Sequence, residues 1–480
     1  MQDPLPIVPF AQPIRARVRV PGSKSLTNRV LILAALSNQQ ITFRNALFSR
    51  DTRIMVQALD QLGIRVETDE GSSTIVVDGT GGWIPNEEAT LHVGNAGTVA
   101  RFLTAFLALR EDGVYHLDGD EAMRKRPMEG LLEALESQGA EFEFQGERGY
   151  FPFTMRTHGL KGGEVAVDAS ASSQILSALL MIAPYALSEC SFELNATNVR
   201  RPFVHMTLGL MKELGQEIDE SINGNLLNFR VARGNSYKFT SDEYVIGADM
   251  TAASYFLALP LVNRGGPTWS VAIADLQRGL TWQGDRQFIP VMEQCGLQVY
   301  YRPNGDVIAE FTPDTTGPTH QPSVAESPGT VDFREFSDTF LTLAAIAPLF
   351  DGPTKITGIA HTRHQETDRV SAMATELRKL LGPANVIEEE DSLEIIPDPE
   401  SLRAAAERGV EIETYEDHRV AMSFAILGCA NVRGDNQPWL KIRDPQCCGK
   451  TFPHFFEILR LIREDSDYQY QTRTPWGARA

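Results

Sequence analysis

The chain has 480 residues, of which 42% are hydrophobic and 22% are charged, a composition typical of a globular protein with more than one hydrophobic core. The formal charge of −19 at pH 7 argues against nucleic-acid binding, because phosphate contacts require a basic surface. Residues 1–10 lack the basic and apolar regions of a signal peptide, and no apolar run approaches the length of a membrane span. We therefore expect a cytoplasmic protein that binds neither nucleic acid nor membrane.

Residues 21–29, PGSKSLTNR, form the first segment with a clear chemical character. They follow a predicted strand at residues 14–20 and precede the apolar residues 30–36, which have the pattern of a helix. Free backbone N–H groups and the helix dipole at such a position favour anions, and Lys24 and Arg29 add positive charge. Serine and threonine are also ordinary helix N-caps, so a capped helix without a ligand is the alternative interpretation.

One pattern recurs along the chain: a basic residue, a helical segment, a glycine where a helix would end, and a short β-like run. It occurs at residues 53–63, 126–139, 201–215, 286–296 and 369–382. A sixth copy at residues 450–462 lacks the closing glycine and strand. The spacing of about 73 to 85 residues is too long for a solenoid. Residues 464–480 do not fit the pattern and are predicted to form a tail or a surface wrap.

A second pattern is a polar turn that opens a helix rich in alanine and leucine. It occurs at residues 25–36, 95–109, 172–184, 249–259, 337–348 and 417–427. These helices are apolar over most of their length, as expected for helices buried inside a layer. Together the two patterns predict six α/β units in two sets of three. If their helix N-termini converge, they form a strongly anion-selective cleft.

The five cysteines show no spacing typical of a metal site or a disulfide framework. They are Cys190, Cys295, Cys429, Cys447 and Cys448. Their odd number, in a chain without a secretory signal, predicts reduced thiols. The adjacent Cys447 and Cys448 do not form a C-x-x-C motif, and the nearby His454 stands alone. We therefore expect neither a metal nor a cofactor.

Eight short motifs occur in a fixed order along nearly the whole chain. They are PGSKS with Arg29, GNAGT with Arg101, RPM at 126–128, SSQ at 172–174, Asp338, ETDR at 366–369, DHR at 417–419 and KTFP at 450–453. Each motif alone is weak evidence. In this order, however, they closely resemble the motifs of the enolpyruvyl transferase family.

The resemblance implies a fold that agrees with the repeat count. It is an α/β fold, a two-domain inside-out barrel in which each domain has three βαβαββ repeats with buried parallel helices and the active site lies in the interdomain cleft. The family's N-terminal strand belongs to the C-terminal domain, so the chain passes between the domains twice. In this sequence the implied domains are residues 1–20 with 248–480, and residues 21–247.

The resemblance also implies a reaction. The enolpyruvyl group of phosphoenolpyruvate is transferred to the 5-hydroxyl of shikimate 3-phosphate, and phosphate is released through a tetrahedral intermediate. This reaction belongs to the shikimate pathway of aromatic amino-acid biosynthesis and uses no cofactor. The expected partners are these two small molecules, and the expected oligomeric state is a monomer.

The family's site residues are carried over motif by motif. The implied phosphoenolpyruvate contacts are Lys24, Asn95, Gly97, Arg126, Gln174, Arg369, Arg419 and Lys450. The implied shikimate 3-phosphate contacts are Ser25, Arg29, Ser172, Ser173, Gln174, Arg200, Asp338 and Gln365. The candidates for proton transfer are Lys24, Asp338 and Glu366.

These residue types suit two polyanionic substrates. Arginine makes planar bidentate contacts to carboxylate and phosphate, and lysine supplies a point charge. A carboxylate or amine in a dry, charged cleft can have its pKa moved toward neutrality. Asp338 is assigned to the 5-hydroxyl, while Glu366 and Lys24 are assigned to the enolpyruvyl carbons. Two alternatives stay open, because Asp338 after Ser337 could be a helix N-cap and a lone arginine could form a surface ion pair.

The sequence departs from the commonest family motif at several positions. His361 stands where asparagine is usual, and Gln365 stands where a lysine usually precedes Glu366. A neutral amide can form hydrogen bonds but cannot neutralise charge. Arg200 and Phe203 likewise replace serine and tyrosine. The hypothesis is that Arg200 or His364 supplies the missing positive charge to the shikimate phosphate.

Three other functions are weighed against this one. The related enzyme that acts on UDP-N-acetylglucosamine carries a loop cysteine upstream of its Arg-Pro pair, whereas residues 118–126 contain none. A non-catalytic descendant that binds anions or a partner is the second alternative, because a family resemblance alone does not establish activity. A P-loop kinase is less favoured because residues 22–25, GSKS, lack the full phosphate-binding motif.

Overall fold

A computed structural model describes residues 2–195, 201–234, 236–263, 266–313 and 325–470. The chain divides into two compact units. We call them the N-terminal unit, Gly22–Ile246, and the C-terminal unit, which joins Met1–Pro21 to Gly247–Ala480. The chain passes from one unit to the other after Pro21 and again after Ile246, whereas the family resemblance implies domain boundaries after residues 20 and 247.

The elements are numbered in chain order. The strands are β1 (Leu5–Ile7), β2 (Arg15–Val18), β3 (Gln40–Arg44), β4 (Val66–Asp69), β5 (Thr74–Asp78), β6 (Glu88–His92), β7 (Gly113–Asp118), β8 (Glu141–Phe144), β9 (Phe153–Thr157), β10 (Gly163–Ala166), β11 (Cys190–Asn195), β12 (Ile218–Asn223), β13 (Leu226–Val231), β14 (Glu243–Val245), β15 (Trp269–Ile273), β16 (Gln298–Tyr301), β17 (Val307–Phe311), β18 (Thr330–Asp332), β19 (Thr354–Thr357), β20 (Val386–Glu389), β21 (Ser392–Ile395), β22 (Val410–Ile412) and β23 (Leu440–Ile442). The α-helices are α1 (Lys24–Leu36), α2 (Arg50–Gln61), α3 (Gly97–Leu107), α4 (Glu121–Arg124), α5 (Glu129–Ser137), α6 (Ser173–Ile182), α7 (Arg201–Glu213), α8 (Met250–Ala258), α9 (Leu276–Gly279), α10 (Phe288–Gln294), α11 (Phe340–Ile346), α12 (Arg369–Leu381), α13 (Pro399–Arg408), α14 (His418–Gly428) and α15 (Phe455–Glu464).

The described strands form six sheets, three in each unit, and the five four-stranded sheets share one topology. In the sheet of β6, β7, β8 and β9, the first two strands are parallel, and β9 lies antiparallel between β7 and β8. Together with α3 and α5 this is a βαβαββ repeat, as the family resemblance implies. Two sheets take their first strand from a distant segment, because β14 pairs with β3 and β2 pairs with β15.

The sixth sheet is where the sequence analysis fell short. The last repeat was expected to have no closing strand, but β1 pairs antiparallel with β23, which also lies parallel to β22. The register joins Leu5 to Ile442 and Ile7 to Leu440. Because an unpaired strand edge is an aggregation hazard, the N-terminal segment covers the edge that the repeat leaves open. Local sequence patterns carry no information about a pairing between opposite ends of the chain.

The second repeated pattern forms the buried helices. In the N-terminal unit these are α1, α3 and α6, and in the C-terminal unit they are α8, α11 and α14. Within each unit the three helices pack against one another. They have little polar surface because alanine and large aliphatic residues surround the helix axis. Each polar helix start is therefore fixed on a rigid, buried element.

The first repeated pattern forms α2, α5, α7, α10 and α12, and a glycine follows the end of each helix as predicted. Their φ angles are positive, lying between +81° and +110° at Gly63, Gly139, Gly215, Gly296 and Gly382. This conformation is easily adopted by a residue without a Cβ atom. A strand follows each of these glycines, namely β4, β8, β12, β16 or β20.

Residues 465–470 run alongside β2 in the C-terminal unit. The backbone N–H groups of Arg15 and Arg17 donate to the carbonyls of Ser466 and Tyr468, each at 2.7 Å. The Tyr470 N–H donates back to the Arg17 carbonyl at 2.8 Å. The described part of the predicted tail therefore wraps the edge of a sheet. Among the helices of the described residues, none combines the length and the apolar character that crossing a membrane requires.

Candidate active site

Three helix N-termini of the N-terminal unit carry the polar motifs. Ser23 caps α1, with its Oγ accepting the Leu26 N–H at 3.4 Å, and Ser172 caps α6 by accepting the Gln174 N–H at 3.2 Å. The helix α3 begins at Gly97 without a side-chain cap. The first turns of these helices, all within the described residues, contain no acidic side chain. The positive end of each helix dipole therefore stays available to an anion.

Arg29 is buried below the start of α1, and its guanidinium is held by neutral oxygen atoms. Nε donates to the Thr207 hydroxyl at 2.7 Å, Nη1 to the Ser25 carbonyl at 3.0 Å, and Nη2 to the Phe203 carbonyl at 3.1 Å. Burial lowers the pKa of Arg29 to about 9, which still leaves it charged at neutral pH. No carboxylate among the described residues forms an ion pair with it. The positive charge of Arg29 is therefore fixed in place and not neutralised.

Arg126 packs directly on Gly97 at the start of α3. A Cβ atom at position 97 would lie 2.4 Å from Arg126 Nη2 and 2.7 Å from its Cζ. Within the part of the chain that the structure describes, Arg126 forms no ion pair with a carboxylate. The neighbouring Asn95 Oδ1 is buried and accepts no hydrogen bond from a described residue. The absence of a side chain at Gly97 therefore makes room for the Arg126 guanidinium, and the implied contact of Gly97 with phosphoenolpyruvate stays a prediction.

The amide of Gln174 joins α6 to α3. Its Nε2 donates to the Thr98 hydroxyl at 2.9 Å, and its Oε1 accepts from Arg101 Nη1 at 3.0 Å. Burial, followed by repulsion from Arg126, lowers the pKa of Arg101 to about 9. Arg101 belonged to a recognised motif but had been given no role. The structure shows that it fixes Gln174, which was expected to contact both substrates.

The other predicted residues of this unit have plainer surroundings. Lys24 Nζ lies 3.2 Å from the carboxylate of the buried Asp51. Ser25 and Ser172 are half-buried, and Ser173 is buried in the first turn of α6. Arg200, one of the two residues proposed to supply a missing positive charge, lies outside the described residues.

In the C-terminal unit, the carboxylate of Asp338 is held between two arginines. Oδ1 accepts from Arg369 Nη1 at 3.1 Å, and Oδ2 accepts from Arg419 Nη2 at 2.9 Å. Asp338 lies in a 3-10 turn, Ser337–Thr339, that leads into α11. Neither this turn nor α11 has a side-chain N-cap, so the capping alternative for Asp338 is wrong.

Arg369 connects most of this cluster although its side chain is only 2% exposed. Besides Asp338, it donates to Asp417 Oδ2 from Nε at 2.7 Å and to Glu366 Oε2 from Nη2 at 2.9 Å. Burial alone would lower the pKa of Arg369, but the carboxylates of Asp417, Glu366 and Asp338 outweigh it and raise the pKa. Arg369 is therefore a permanent cation that orients three carboxylates.

Glu366 is shared between two cations. Its Oε1 accepts from Lys450 Nζ at 2.9 Å, and its Oε2 accepts from Arg369. The adjacent Gln365 places its amide oxygen on Arg369 Nη1. A lysine at this position has no acceptor atom and could not make that bond. The departure at Gln365 thus adds an acceptor for Arg369. His364, the other residue proposed to supply the missing positive charge, is exposed.

Sequence reasoning missed Asp285, which faces this cluster. The Thr251 hydroxyl donates to its carboxylate, and Asp338 and Arg419 are close enough to act on its charge. Burial, followed by repulsion from Asp338, raises the pKa of Asp285 to about 7. The available signal was the pair Asp285-Arg286 opening one copy of the first repeat, which matches Asp368-Arg369 in the next copy.

The two units thus present opposite electrostatics at corresponding helix starts. Asp249 and Asp417 cap α8 and α14, accepting the N–H groups of Ala252 at 2.9 Å and Arg419 at 2.8 Å, and Asp338 precedes α11. The N-terminal unit instead uses neutral serines and asparagine with unneutralised arginines. Its helix starts can bind anions, whereas those of the C-terminal unit combine fixed cations with carboxylates that can exchange protons.

Comparison with known proteins identifies the family. The sequence model of EPSP synthase (3-phosphoshikimate 1-carboxyvinyltransferase) matches residues 9–459. The chain belongs to the EPSP synthase family. A 3-phosphoshikimate 1-carboxyvinyltransferase from Opitutus terrae is 48% identical over 97% of this chain and 99% of its own length. A protein of the same name from Nostoc punctiforme is 39% identical over 95% and 98% of the two chains.

Solved structures show the same fold. EPSP synthase from Acinetobacter baumannii has a TM-score of 0.73 at 23% identity, covering 95% of this chain and 97% of that one. The enolpyruvyl transferase NikO from Streptomyces tendae has a TM-score of 0.65 at 15% identity, covering 94% and 96%. The α/β fold class and the resemblance to the enolpyruvyl transferases, inferred from the eight motifs, are therefore confirmed. The assignment of single residues to single substrate groups stays a prediction.

Proposed function

We propose that this chain transfers the enolpyruvyl group of phosphoenolpyruvate to the 5-hydroxyl of shikimate 3-phosphate and releases phosphate. The observation that carries the proposal is the pair of carboxylates Asp338 and Glu366, each held by two cations. A reaction that moves protons between polyanions needs carboxylates to exchange the protons and cations to bind the substrates. Membership of the EPSP synthase family supports the choice of substrates.

The chemistry proceeds by addition and elimination. The 5-hydroxyl oxygen bonds to C2 of phosphoenolpyruvate while its proton leaves and another proton reaches C3, giving a tetrahedral intermediate. Loss of a proton from C3 and departure of phosphate from C2 then restore the double bond. Asp338 takes the hydroxyl proton, and Glu366 and Lys24 exchange protons at C3.

The cations supply binding and electrostatic stabilisation. Phosphoenolpyruvate is bound by Arg126, Arg369, Arg419 and Lys450. The carboxylate of shikimate 3-phosphate is bound by Ser25 and Arg29, and its phosphate by Ser172 and Ser173. Because Arg369 and Arg29 are buried and already oriented, they reorganise little as charge develops. The Gln365 amide oxygen accepts from Arg369, and its amide N–H groups donate to the shikimate phosphate together with the serines and Arg200.

Phosphate release provides the test. Purified protein is given phosphoenolpyruvate with either shikimate 3-phosphate or UDP-N-acetylglucosamine, and Asp338→Asn serves as the inactive control. We expect release with the first acceptor alone, reduced about 100-fold or more in the variant, the range for loss of a general base. Release with UDP-N-acetylglucosamine would favour the related transferase, and release with neither would favour an anion-binding protein. The cytoplasmic location and the monomeric state stay predictions.

A further inference from the structure

The loop that leads into α14 is attached to α12 at two points. Asp417 contacts Arg369, the first residue of α12, while Glu413 and Tyr415 contact Glu376, seven residues further along the same helix. Seven residues make almost two turns, so Arg369 and Glu376 lie on one face of α12, roughly 10 Å apart along its axis. The loop therefore follows this face of α12 toward the site.

Glu376 is a fully buried carboxylate that takes no part in the proposed chemistry. Its Oε1 accepts from the Tyr415 hydroxyl at 2.8 Å, and its Oε2 accepts from the Glu413 N–H at 3.1 Å and from Lys379 Nζ at 2.5 Å. A buried charge is tolerated only when it is paired and hydrogen-bonded, and these three donors meet that need. Burial and the Glu376 carboxylate raise the pKa of the Tyr415 phenol, so the hydroxyl remains a donor.

The residues next to this contact have an unusual backbone. Tyr415 and Glu416 have φ angles of +55° and +58°, two consecutive left-handed residues that are not glycine. Such residues are uncommon, especially bulky ones, and they persist only where the surroundings hold them. Asp417 follows immediately, completely buried, and binds Arg369 Nε and the Arg419 N–H.

We propose that Glu376 and Tyr415 are positioning residues. Their hydrogen bond holds residues 415–416 in the left-handed conformation, which places Asp417 so that it holds the Arg369 guanidinium and caps α14, the helix that carries Arg419. Glu376 is inaccessible to substrate and acts only through this loop. The consequence for the reaction rests on the proposed function, because it assumes that both arginines bind phosphoenolpyruvate.

Tyr415→Phe tests this role by removing only the hydroxyl. We expect the KM for phosphoenolpyruvate to rise about tenfold, the effect of losing one buried hydrogen bond to a charged group. The matched control is Tyr300→Phe, whose exposed hydroxyl donates to Gln298 on the same strand and whose KM should not change. A lower melting temperature with an unchanged KM would show a merely structural role and overturn the proposal.

A second substitution tests the backbone argument. Glycine adopts positive φ angles without strain, so Tyr415→Phe/Glu416→Gly should recover a large part of the lost affinity. Ser73→Gly, at a left-handed residue of the N-terminal unit with φ +53°, should give no recovery in the same background. Equal recovery by both glycines, or by neither, contradicts the role of residues 415–416.

A crystal structure of Tyr415→Phe provides a result that does not depend on activity. We expect residues 415 and 416 to leave the left-handed region and the contact between Asp417 and Arg369 to be lost. Retention of both features would overturn the positioning role. If the unmodified protein releases no phosphate, the proposed function fails, and this structural comparison still decides the role of Glu376 and Tyr415.

Discussion

At the scale of single residues, Gly97 determines where Arg126 lies. A methyl group at position 97 would collide with the Arg126 guanidinium, the mobile end of a flexible side chain, so the fold should persist while the arginine moves. We predict that Gly97→Ala raises the KM for phosphoenolpyruvate by about 10- to 100-fold, as expected for a displaced binding group. Steady-state phosphate release measures it.

Gly146→Ala is the matched control for that substitution. A Cβ atom at position 146 meets no atom within 4 Å, so activity and melting temperature should stay unchanged. A crystal structure of Gly97→Ala with Arg126 in its original place would contradict the explanation, even if the KM rises.

Asp285 predicts a pH dependence of stability. The folded protein raises the pKa of this carboxyl from 3.8 to about 7, so it binds the proton more tightly than the unfolded chain. The stabilising contribution is therefore complete below about pH 4 and is lost as the pH rises through about 7. We predict that Asp285→Asn, which cannot ionise, gains melting temperature relative to the unmodified protein between pH 5 and 8.

Thermal unfolding at constant ionic strength measures this difference. Asp60→Asn, an exposed substitution on α2, provides the control and should give a curve parallel to that of the unmodified protein. Parallel curves for Asp285→Asn as well would mean that Asp285 is already ionised across this range.

The sequence predicted Asp338, Glu366 and Arg369 as candidate site residues, because each belongs to a short motif of the family. These motifs did not identify Asp285 or explain Gly97, since both depend on which distant side chain packs against them. The pKa of Asp285 is raised by burial and by repulsion from Asp338, which lies 53 positions further along the chain. The number of residues between two positions does not tell how close their side chains lie in the fold.

At the scale of elements, the N-cap of α6 can change the stability of the helix and its binding of an anion independently. Ser172 is a neutral N-cap, whereas the corresponding residues of α8 and α14 are aspartates. Aspartate caps a helix as well as serine does and also interacts favourably with the helix dipole. We predict that Ser172→Asp keeps or raises the melting temperature but raises the KM for shikimate 3-phosphate by about tenfold or more through charge repulsion.

Ser172→Asn is the control, because asparagine caps equally well without a charge. Its effect on the KM should be much smaller than that of aspartate. If both substitutions weaken binding equally, then the hydroxyl itself matters and the absence of negative charge at this helix start does not.

Most elements could be predicted because each repeat copy carries its own signals. A polar turn opens the buried helix, and a glycine with positive φ ends the next one. Local signals of this kind do not predict every strand pairing in the sheets. The pairings of β1 with β23 and of β14 with β3 join segments far apart in the sequence, and the short strand β1 has no distinguishing pattern.

At the scale of the whole molecule, the C-terminal segment stabilises the start of the chain. Residues 465–470 form three backbone hydrogen bonds with Arg15 and Arg17, and the Arg17 guanidinium also donates to the Tyr470 carbonyl at 2.9 Å. We predict that ending the chain at Glu464 lowers the free energy of unfolding by about 2–4 kcal/mol, the sum of such bonds. Chemical denaturation measures the loss.

A chain that ends at Tyr470 retains all these contacts and is the control, so the difference in free energy of unfolding between the two shortened chains measures the contribution of residues 465–470. Equal stability of the two shortened chains and the full chain would show that the edge of β2 does not need this cover.

The origin of the strands β1 and β2 has a consequence for protein synthesis. The three sheets of the N-terminal unit are complete once residue 245 has been made, so this unit can fold while translation continues. The strands β2 and β1 must instead wait for β15 and β23, which are made more than 250 and 430 residues later. Until then, the segment before residue 22 exposes unpaired strand edges, and it is the part of the nascent chain for which a chaperone would matter most.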